Sequence, residues 1–158
     1  MITKQQMLPM LVDACPSFAR AWADLELRGE ADRAYVCLSR FVEYLRELQR
    51  AGDVSAFPKV AQVVERFHLE GDNFVKEAAT VGFLESLDDE RGDALFISLL
   101  GSESRKWLSE VEAFWRGERH YIGEVLERPL SEEDLQRIRD DVRRFNETLG
   151  RKRRSAAS

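Results

Sequence analysis

The chain has few of the residues that bind metals or form covalent cross-links. Its 158 residues include two cysteines, Cys15 and Cys37, and two histidines, His68 and His120. The cysteines form no CxxC pair and each lies in an apolar stretch, so we expect both to be buried and reduced, with a disulfide between them as the alternative. A four-ligand zinc site would need more cysteine and histidine than these segments offer. The sequence therefore predicts no metal site and no cofactor.

Long apolar runs and targeting signals are also lacking. No stretch approaches the roughly 18 uninterrupted apolar residues of a membrane span. Residues 1–6 lack the basic and apolar regions of a signal peptide. We therefore expect a soluble, cytoplasmic protein with no membrane partner.

The motifs of common catalytic sites are missing as well. The sequence contains no GxSxG elbow and no GxxxxGK[ST] or GxGxxG phosphate-binding loop. Its many carboxylates lie on charged helix faces, where acid–base catalysis is disfavoured without burial to shift a pKa. The sequence therefore supports no enzymatic activity.

The charge of the chain is negative and unevenly distributed. The formal net charge is −5, although the last eight residues carry four cations and no anion. Removing these four from the total of 24 cations leaves 20 against 29 anions in residues 1–150, a net charge of −9. An acidic body disfavours nucleic acid as the partner, because such binding depends on neutralising phosphates. We predict a helical domain over residues 1–150 and a disordered basic tail over residues 151–158.

Apolar residues recur at helical spacing through most of the sequence. From about residue 31 to Arg50, apolar residues recur at the spacing of one helix face, and Gly52 predicts the end of that helix. Arg46 is among the charged residues expected on the opposite, solvated face. The apolar stripe consists of Tyr35, Leu38, Phe41, Val42, Leu45 and Leu48.

Similar patterns predict helices in most of the remaining chain. Thr3, Asp72 and Ser131 are expected N-caps. Pro9 predicts a kink in the first helix or a later start. Residues 117–130 are expected to form a loop, and Gly150 is expected to end the last helix.

These segments predict an all-α fold, a single-domain array of about seven or eight helices packed as helical hairpins. The pattern of residues 55–87 predicts a helix, a Gly71-Asp72 turn and a second helix rich in small residues. This arrangement resembles a HEAT-like helix pair. Two such units fall short of a periodic repeat.

One pair of residues has the spacing of a metal-binding helix. Glu65 and His68 form an ExxH pattern, but di-iron bundles need a second one, which the sequence lacks. We therefore expect His68 to be a hydrogen-bonded histidine at the edge of an apolar stripe. The alternative is a ligand- or metal-binding helical domain or an enzyme, with a cavity near Glu65 and His68 to which Trp107 or Trp115 contributes.

Charged clusters indicate where a partner would bind. The cations of the last helix, Arg137, Arg139, Arg143 and Arg144, alternate with Asp140 and Asp141, so we expect intrahelical pairing and no nucleic-acid contact. An acidic cluster lies near the middle of the chain, without the spacing of an EF-hand. Such a cluster can steer a basic partner. The predicted partner-binding residues are Glu85, Asp88, Asp89, Glu90 and Asp93.

Several short motifs resemble those of a known group of proteins. Pro16, the Gly71-Asp72 turn, Phe83-Leu84-Glu85 and Leu87 match a pattern over about residues 7–100. In these motifs the chain resembles a family of small, uncharacterised bacterial helical proteins. Some of its members resemble immunity proteins encoded beside polymorphic toxins. The resemblance implies a binding role, transfers no functional residue, and does not extend to the basic tail.

The leading hypothesis is therefore a non-enzymatic protein-interaction module. In its finer form the chain is an immunity-type inhibitor whose acidic surface covers a basic toxin domain. A further hypothesis is a homodimer formed through an aromatic face of the helix that carries Trp107 and Trp115.

Overall fold

The computed structural model describes residues 1–126 and 128–156, with side chains up to residue 151. In this part of the chain eight α-helices form and no strand does, which confirms the all-α prediction. The helices are α1 (Lys4–Ala14), α2 (Ala19–Leu27), α3 (Ala34–Arg50), α4 (Phe57–Glu70), α5 (Asn73–Glu77), α6 (Ala94–Ser98), α7 (Ser102–Trp115) and α8 (Glu132–Ala156).

The predicted caps are present at three helix starts. The backbone N–H of Thr3 donates to Gln6 Oε1 at 2.9 Å, and that of Val75 donates to Asp72 Oδ1 at 2.8 Å. The Asp134 N–H donates to Ser131 Oγ at 3.1 Å. The expectation of a later start after Pro9 is wrong, because α1 begins at Lys4 and runs through Pro9.

The chain after α5 departs from α-helical winding, first to a wider and then to a tighter turn. Residues Ala78–Phe83 form a π-helical turn, and Leu84–Ser86 form a 3₁₀ turn. The π-helical turn packs on α3 so closely that a Cβ atom at Gly82 would lie 3.0 Å from Leu38 Cδ1 and 3.2 Å from Tyr35 Cα. The small residues of this segment therefore serve close packing of two helical segments.

A row of aromatic rings runs through the core of the first 108 residues. Ring centroids are 4.7 Å apart for Phe18 and Phe41, and 6.2 Å apart for Phe41 and Phe83. Phe96 continues the row at 5.6 Å from both Phe83 and Phe57. Aromatic contacts of this kind add to the free energy gained by burying the rings. Both cysteines are buried and free, as predicted.

The N-terminus is bound to the turn between α4 and α5. The Ile2 N–H donates to the Glu70 carbonyl at 2.8 Å, and the Asp72 N–H donates to the Ile2 carbonyl at 2.9 Å. Gly71 between them cannot carry a side chain without overlap, since its Cβ would meet the Phe67 carbonyl oxygen and lie 2.5 Å from Val75 Cγ1. The Gly-Asp motif is thus explained by a close backbone approach.

The chain divides into two compact units, Met1–Leu108 and Ser109–Ser158, with the division inside α7. The second unit contains the predicted loop, which is non-helical in its described residues, and α8. The backbone of α8 is helical to Ala156, so the helix does not end at Gly150 as expected. A domain over residues 1–150 with a disordered tail over residues 151–158 stays a prediction, and residues 157–158 lie outside the described residues. Among the described helices, none has the length and apolar character that crossing a bilayer requires.

Candidate functional site

Three of the predicted partner-binding residues lie exposed on one short segment. We call residues 87–93, between the 3₁₀ turn Leu84–Ser86 and α6, the acidic loop. Asp88, Asp89 and Glu90 are exposed there. The Asp88 carboxylate accepts the Glu90 N–H at 2.9 Å, and Gly92 closes the turn with a φ of 95°, which favours glycine. The loop therefore presents three carboxylates from a defined turn.

Asp93 is placed differently, because it is buried beneath the loop and paired with Arg46. The Arg46 Nε lies 3.0 Å from Asp93 Oδ1, and Nη2 lies 2.6 Å from Asp93 Oδ2. The two side chains are each 5% exposed. Asp93 is thus an internal anchor of the loop, while Asp88, Asp89 and Glu90 remain available to a partner.

The expectation that Arg46 lies on the solvated face of α3 is wrong. Its Nη2 also donates to the Ser86 carbonyl at 2.6 Å, and its Nη1 donates to Glu43 Oε1 at 2.7 Å. Burial by itself would lower the pKa of Arg46, but hydrogen bonds and charge from Asp93 and Glu43 raise it above its usual value. The guanidinium satisfies its donors on three partners, which is how a buried charge is stabilised.

Backbone and surface contacts complete the anchoring of the acidic loop. The Asp88 N–H donates to Asp93 Oδ2 at 2.8 Å, and the Asp93 N–H donates to the Asp88 carbonyl at 3.2 Å. Gln49 Nε2 donates to the Gly92 carbonyl at 2.8 Å. Arg91 Nη2 lies 2.7 Å from Glu43 Oε1. The two ends of the loop are therefore joined to each other and to α3.

Glu85, the fifth predicted residue, precedes the loop and is half-buried. Burial raises the pKa of its carboxyl above the ordinary value. This desolvated position makes Glu85 a weaker attractor for a cation than the three exposed carboxylates of the loop.

The second predicted location, around Glu65 and His68, is a network of hydrogen bonds at the start of α7. Glu65 Oε1 accepts the Glu103 N–H at 3.0 Å, and Oε2 accepts the Ser104 N–H at 2.9 Å and the Ser104 hydroxyl at 2.7 Å. Burial raises the pKa of Glu65, but these hydrogen bonds and His68 outweigh it and lower the pKa below its ordinary value. The carboxylate caps a helix N-terminus, where a negative charge is stabilised.

His68 is buried at 4% exposure, and both of its ring nitrogens have partners. Nδ1 lies 3.0 Å from the Val64 carbonyl and 3.2 Å from Ser104 Oγ, and Nε2 lies 3.3 Å from Thr80 Oγ1. Burial lowers the pKa of His68 below its usual value, so the neutral ring is favoured. This is the hydrogen-bonded histidine that the sequence predicted.

The surface next to Glu65 is a groove of about 370 Å³, whose described lining includes Gln62 and Leu99 but not His68. Gly101 lines it too, and a Cβ atom there would overlap the Glu65 carboxylate. Among the residues that the structure describes, no group of three or more histidine, cysteine or carboxylate side chains could hold a metal ion.

The two tryptophans of α7 have different surroundings. Trp107 Nε1 donates to Glu103 Oε1 at 3.1 Å, and Lys106 Nζ lies over the Trp107 ring, 5.6 Å from its centroid. Trp115 is 65% exposed and lines a cleft of about 560 Å³ in the second unit, with Phe114, Val142 and Phe145. Trp107 is half-buried and Trp115 is exposed, so the two tryptophans of the predicted aromatic face differ in exposure.

The sequence reasoning missed Arg46, Ser104 and Thr80. Arg46 could not be recognised because its spacing matches the charged residues of α3, and its partner Asp93 follows 47 residues later. Ser104 and Thr80 are small hydroxyl residues whose role depends on the position of His68.

A protein-family model covers more than half of the chain. The model of a domain of unknown function, DUF7674, matches residues 8–116, which include the acidic loop, its Arg46 anchor and the Glu65–His68 network. No curated protein and no solved structure matches the chain.

Proposed function

Since this chain belongs to the DUF7674 family, whose description names no activity, we propose its function from its own geometry. It is a non-enzymatic protein-interaction module whose acidic loop binds a basic protein partner. The observation that carries this proposal is the buried Arg46–Asp93 pair, which anchors a loop with three exposed carboxylates.

Anchoring matters because binding costs conformational entropy when a flexible loop becomes ordered. The ends of the acidic loop are joined by two hydrogen bonds between Asp88 and Asp93, and Asp93 is paired with Arg46. The backbone that carries Asp89 and Glu90 is thereby ordered before a partner arrives. When a partner with matching cations binds this loop, less free energy is lost to ordering the loop than when it binds a flexible acidic segment.

Charge supports the same type of partner. Residues 1–150 carry a net charge of −9, so the field of the body adds to that of the loop. Complementary charge raises the rate of association and selects against acidic partners. A basic protein surface is therefore the partner that these charges favour.

In its finer form, the proposal is an immunity-type inhibitor in the cytoplasm that covers a basic toxin domain. Its support is the motif resemblance at Pro16, the Gly71-Asp72 turn and Phe83-Leu84-Glu85, together with the acidic loop. The packing of α4 against α5 is compatible with the HEAT-like pair that we propose for this region.

The alternative, a ligand-binding domain or an enzyme with a cavity near Glu65 and His68, has weaker support. His68 uses both ring nitrogens on protein partners, and the Glu65 carboxylate accepts three hydrogen bonds from the start of α7. Neither side chain has a free polar atom directed at a ligand in this arrangement.

The test is co-expression with the proteins encoded by neighbouring genes, followed by co-purification and a growth assay. The finer proposal expects one neighbour to arrest growth and this chain to restore it. For a binding neighbour, the triple change Asp88→Lys, Asp89→Lys and Glu90→Lys should lower the association rate at low salt by about tenfold or more.

The matched control reverses three exposed acids elsewhere in the same unit, Asp24→Lys, Glu26→Lys and Asp32→Lys. Both variants change the net charge equally, so a general charge effect would slow both to the same extent. An association rate that falls equally in the two variants would remove the acidic loop from the proposal. A failure of every neighbour to bind or to affect growth would contradict the inhibitor.

A further inference from the structure

The last helix carries an apolar seam that is buried or half-buried up to Val142 and exposed beyond it. Leu135, Ile138, Val142, Phe145 and Leu149 recur at alternating steps of three and four, the spacing of a coiled-coil seam. Ile138 is 1% exposed, whereas Phe145 is 64% and Leu149 is 40% exposed. The second part of the seam therefore lacks the cover that the first part has.

The exposed part of the seam borders a cleft formed within the second unit. Trp115, Val142 and Phe145 line this cleft, whose volume is about 560 Å³. Trp115 and Phe145 remain 65% and 64% exposed although they line it. Walls that are this open do not enclose a small molecule, which is usually buried over most of its surface. A protein surface that covers the cleft suits it better.

Charges around the cleft indicate which protein surface fits. Arg139 and Asp141 both line it, so its polar rim contains both signs of charge. His120 links this rim to the preceding loop, with Nδ1 at 3.0 Å from Glu124 Oε1 and Nε2 at 3.6 Å from Asp141 Oδ2. A two-fold axis brings a surface against its own copy, where a rim with both signs can pair with itself. The rim therefore favours a second copy over a partner of one charge.

The apolar area is consistent with the centre of such an interface. The exposed parts of Trp115, Phe145 and Leu149 together amount to about 300–400 Å². A stable interface buries about 800 Å² per partner, with an apolar centre and a polar rim. The 25 residues of α8 extend over about 37 Å, long enough to supply that rim.

We propose that the chain forms a homodimer in which the exposed residues of the α8 seam, Phe145 and Leu149, pack with Trp115 and the half-buried Val142 against the same surface of a second copy. This dimer is independent of the acidic loop and of any basic partner. The sequence-based hypothesis placed the dimer contact on the aromatic face of the helix with Trp107 and Trp115. The present proposal places it on α8 and the end of α7 instead.

Sedimentation velocity of the full chain, from low to high micromolar concentration, tests the proposal. The wild-type chain should pass from monomer to dimer over this range. Phe145→Glu and Leu149→Glu should each weaken self-association by about tenfold or more, because a charge then lies in the apolar centre. Val125→Glu is the matched control, since Val125 is 88% exposed in the same unit and lies outside the seam.

Both test positions are exposed, and circular dichroism of each variant verifies that the helices are retained. A wild-type chain that stays monomeric throughout the range would overturn the proposal and leave the cleft to a different occupant. Equal association of the wild type and both seam variants would overturn it as well, since the dimer would then use another surface. A similar loss in Val125→Glu would also count against the seam.

Discussion

The Arg46–Asp93 pair and the His68 network both place ionisable side chains in the interior, but they differ in charge and in what they stabilise. Arg46 and Asp93 form a buried ion pair that anchors the exposed acidic loop. His68 is favoured as the neutral ring, and with Glu65 and Ser104 it joins α4 to the start of α7. The first network orders a surface, and the second connects two helices.

The difference shows that burial alone does not indicate function. A buried charge needs a counter-charge and hydrogen bonds, so Arg46 can be retained only where Asp93, Ser86 and Glu43 surround it. A buried histidine can instead lose its proton and keep two hydrogen bonds. The charged network therefore depends on its partners more strongly than the neutral one does, and three changes test this ordering.

The largest effect is expected for Arg46→Met. Removing the guanidinium leaves the Asp93 carboxylate buried without a counter-charge, which should lower the free energy of unfolding by about 3–5 kcal/mol. Urea denaturation followed by circular dichroism measures the change. Replacing both partners, with Arg46→Met and Asp93→Leu, should recover part of the loss because no unpaired charge then remains.

Arg91→Ala is the matched control, since Arg91 also pairs with Glu43 but is 54% exposed. Its loss should change the free energy of unfolding by no more than about 0.5 kcal/mol. Equal effects of the Arg46 and Arg91 substitutions would show that the buried pair does not anchor the loop.

A smaller effect is expected at Glu65. Glu65→Ala removes the acceptor for the Glu103 and Ser104 N–H groups at the start of α7, which should lower the free energy of unfolding by about 1–2 kcal/mol. Glu65→Gln keeps one acceptor oxygen and should lose less. If the two substitutions were equally destabilising, the negative charge and not the hydrogen bonds would dominate the cap.

The smallest effect is a pH dependence from His68. Its pKa is lowered by burial, against which the Val64 carbonyl, Glu65 and Glu103 favour the cation, while Lys76 disfavours it. The unfolded chain therefore binds a proton at higher pH than the folded chain does. The contribution of His68 to stability is complete above about pH 6.5 and decreases as the pH falls below it, by at most about 1.4 kcal/mol per pH unit.

Urea denaturation between pH 7.5 and pH 5.5, at about one-unit steps around the ordinary histidine pKa, measures this slope. His68→Gln should flatten it, because the titrating ring is gone while an amide can still form hydrogen bonds. If the free energy of unfolding of His68→Gln kept the same pH dependence, that dependence would come from groups other than His68.

Much of the helical structure followed from local patterns. The stripe of α3 predicted a helix that the structure places at Ala34–Arg50, and Gly52 follows it with a φ of 78°. Asp72 and Ser131 act as the expected caps. These features depend on residues within one or two turns of each other, so their spacing along the chain is sufficient to predict them.

The candidate site was predicted only in part. The exposure of Asp88, Asp89 and Glu90 agrees with a charged turn between two apolar segments. The burial of Asp93 was not foreseeable, because it belongs to the same acidic stretch of the sequence as the exposed acids. It differs from them only through Arg46, which comes from a distant helix.

By itself, the sequence determined the helical class, most helix starts and the negative charge of the body, since periodicity, capping and composition act over short distances. Only the tertiary structure decided which charged residues are buried, because Arg46 meets Asp93 across 47 residues and His68 meets Ser104 across 36. The π-helical turn on α3 was decided in the same way. A charge is solvated or paired according to what packs around it, and that packing is not encoded in the spacing of any single helix.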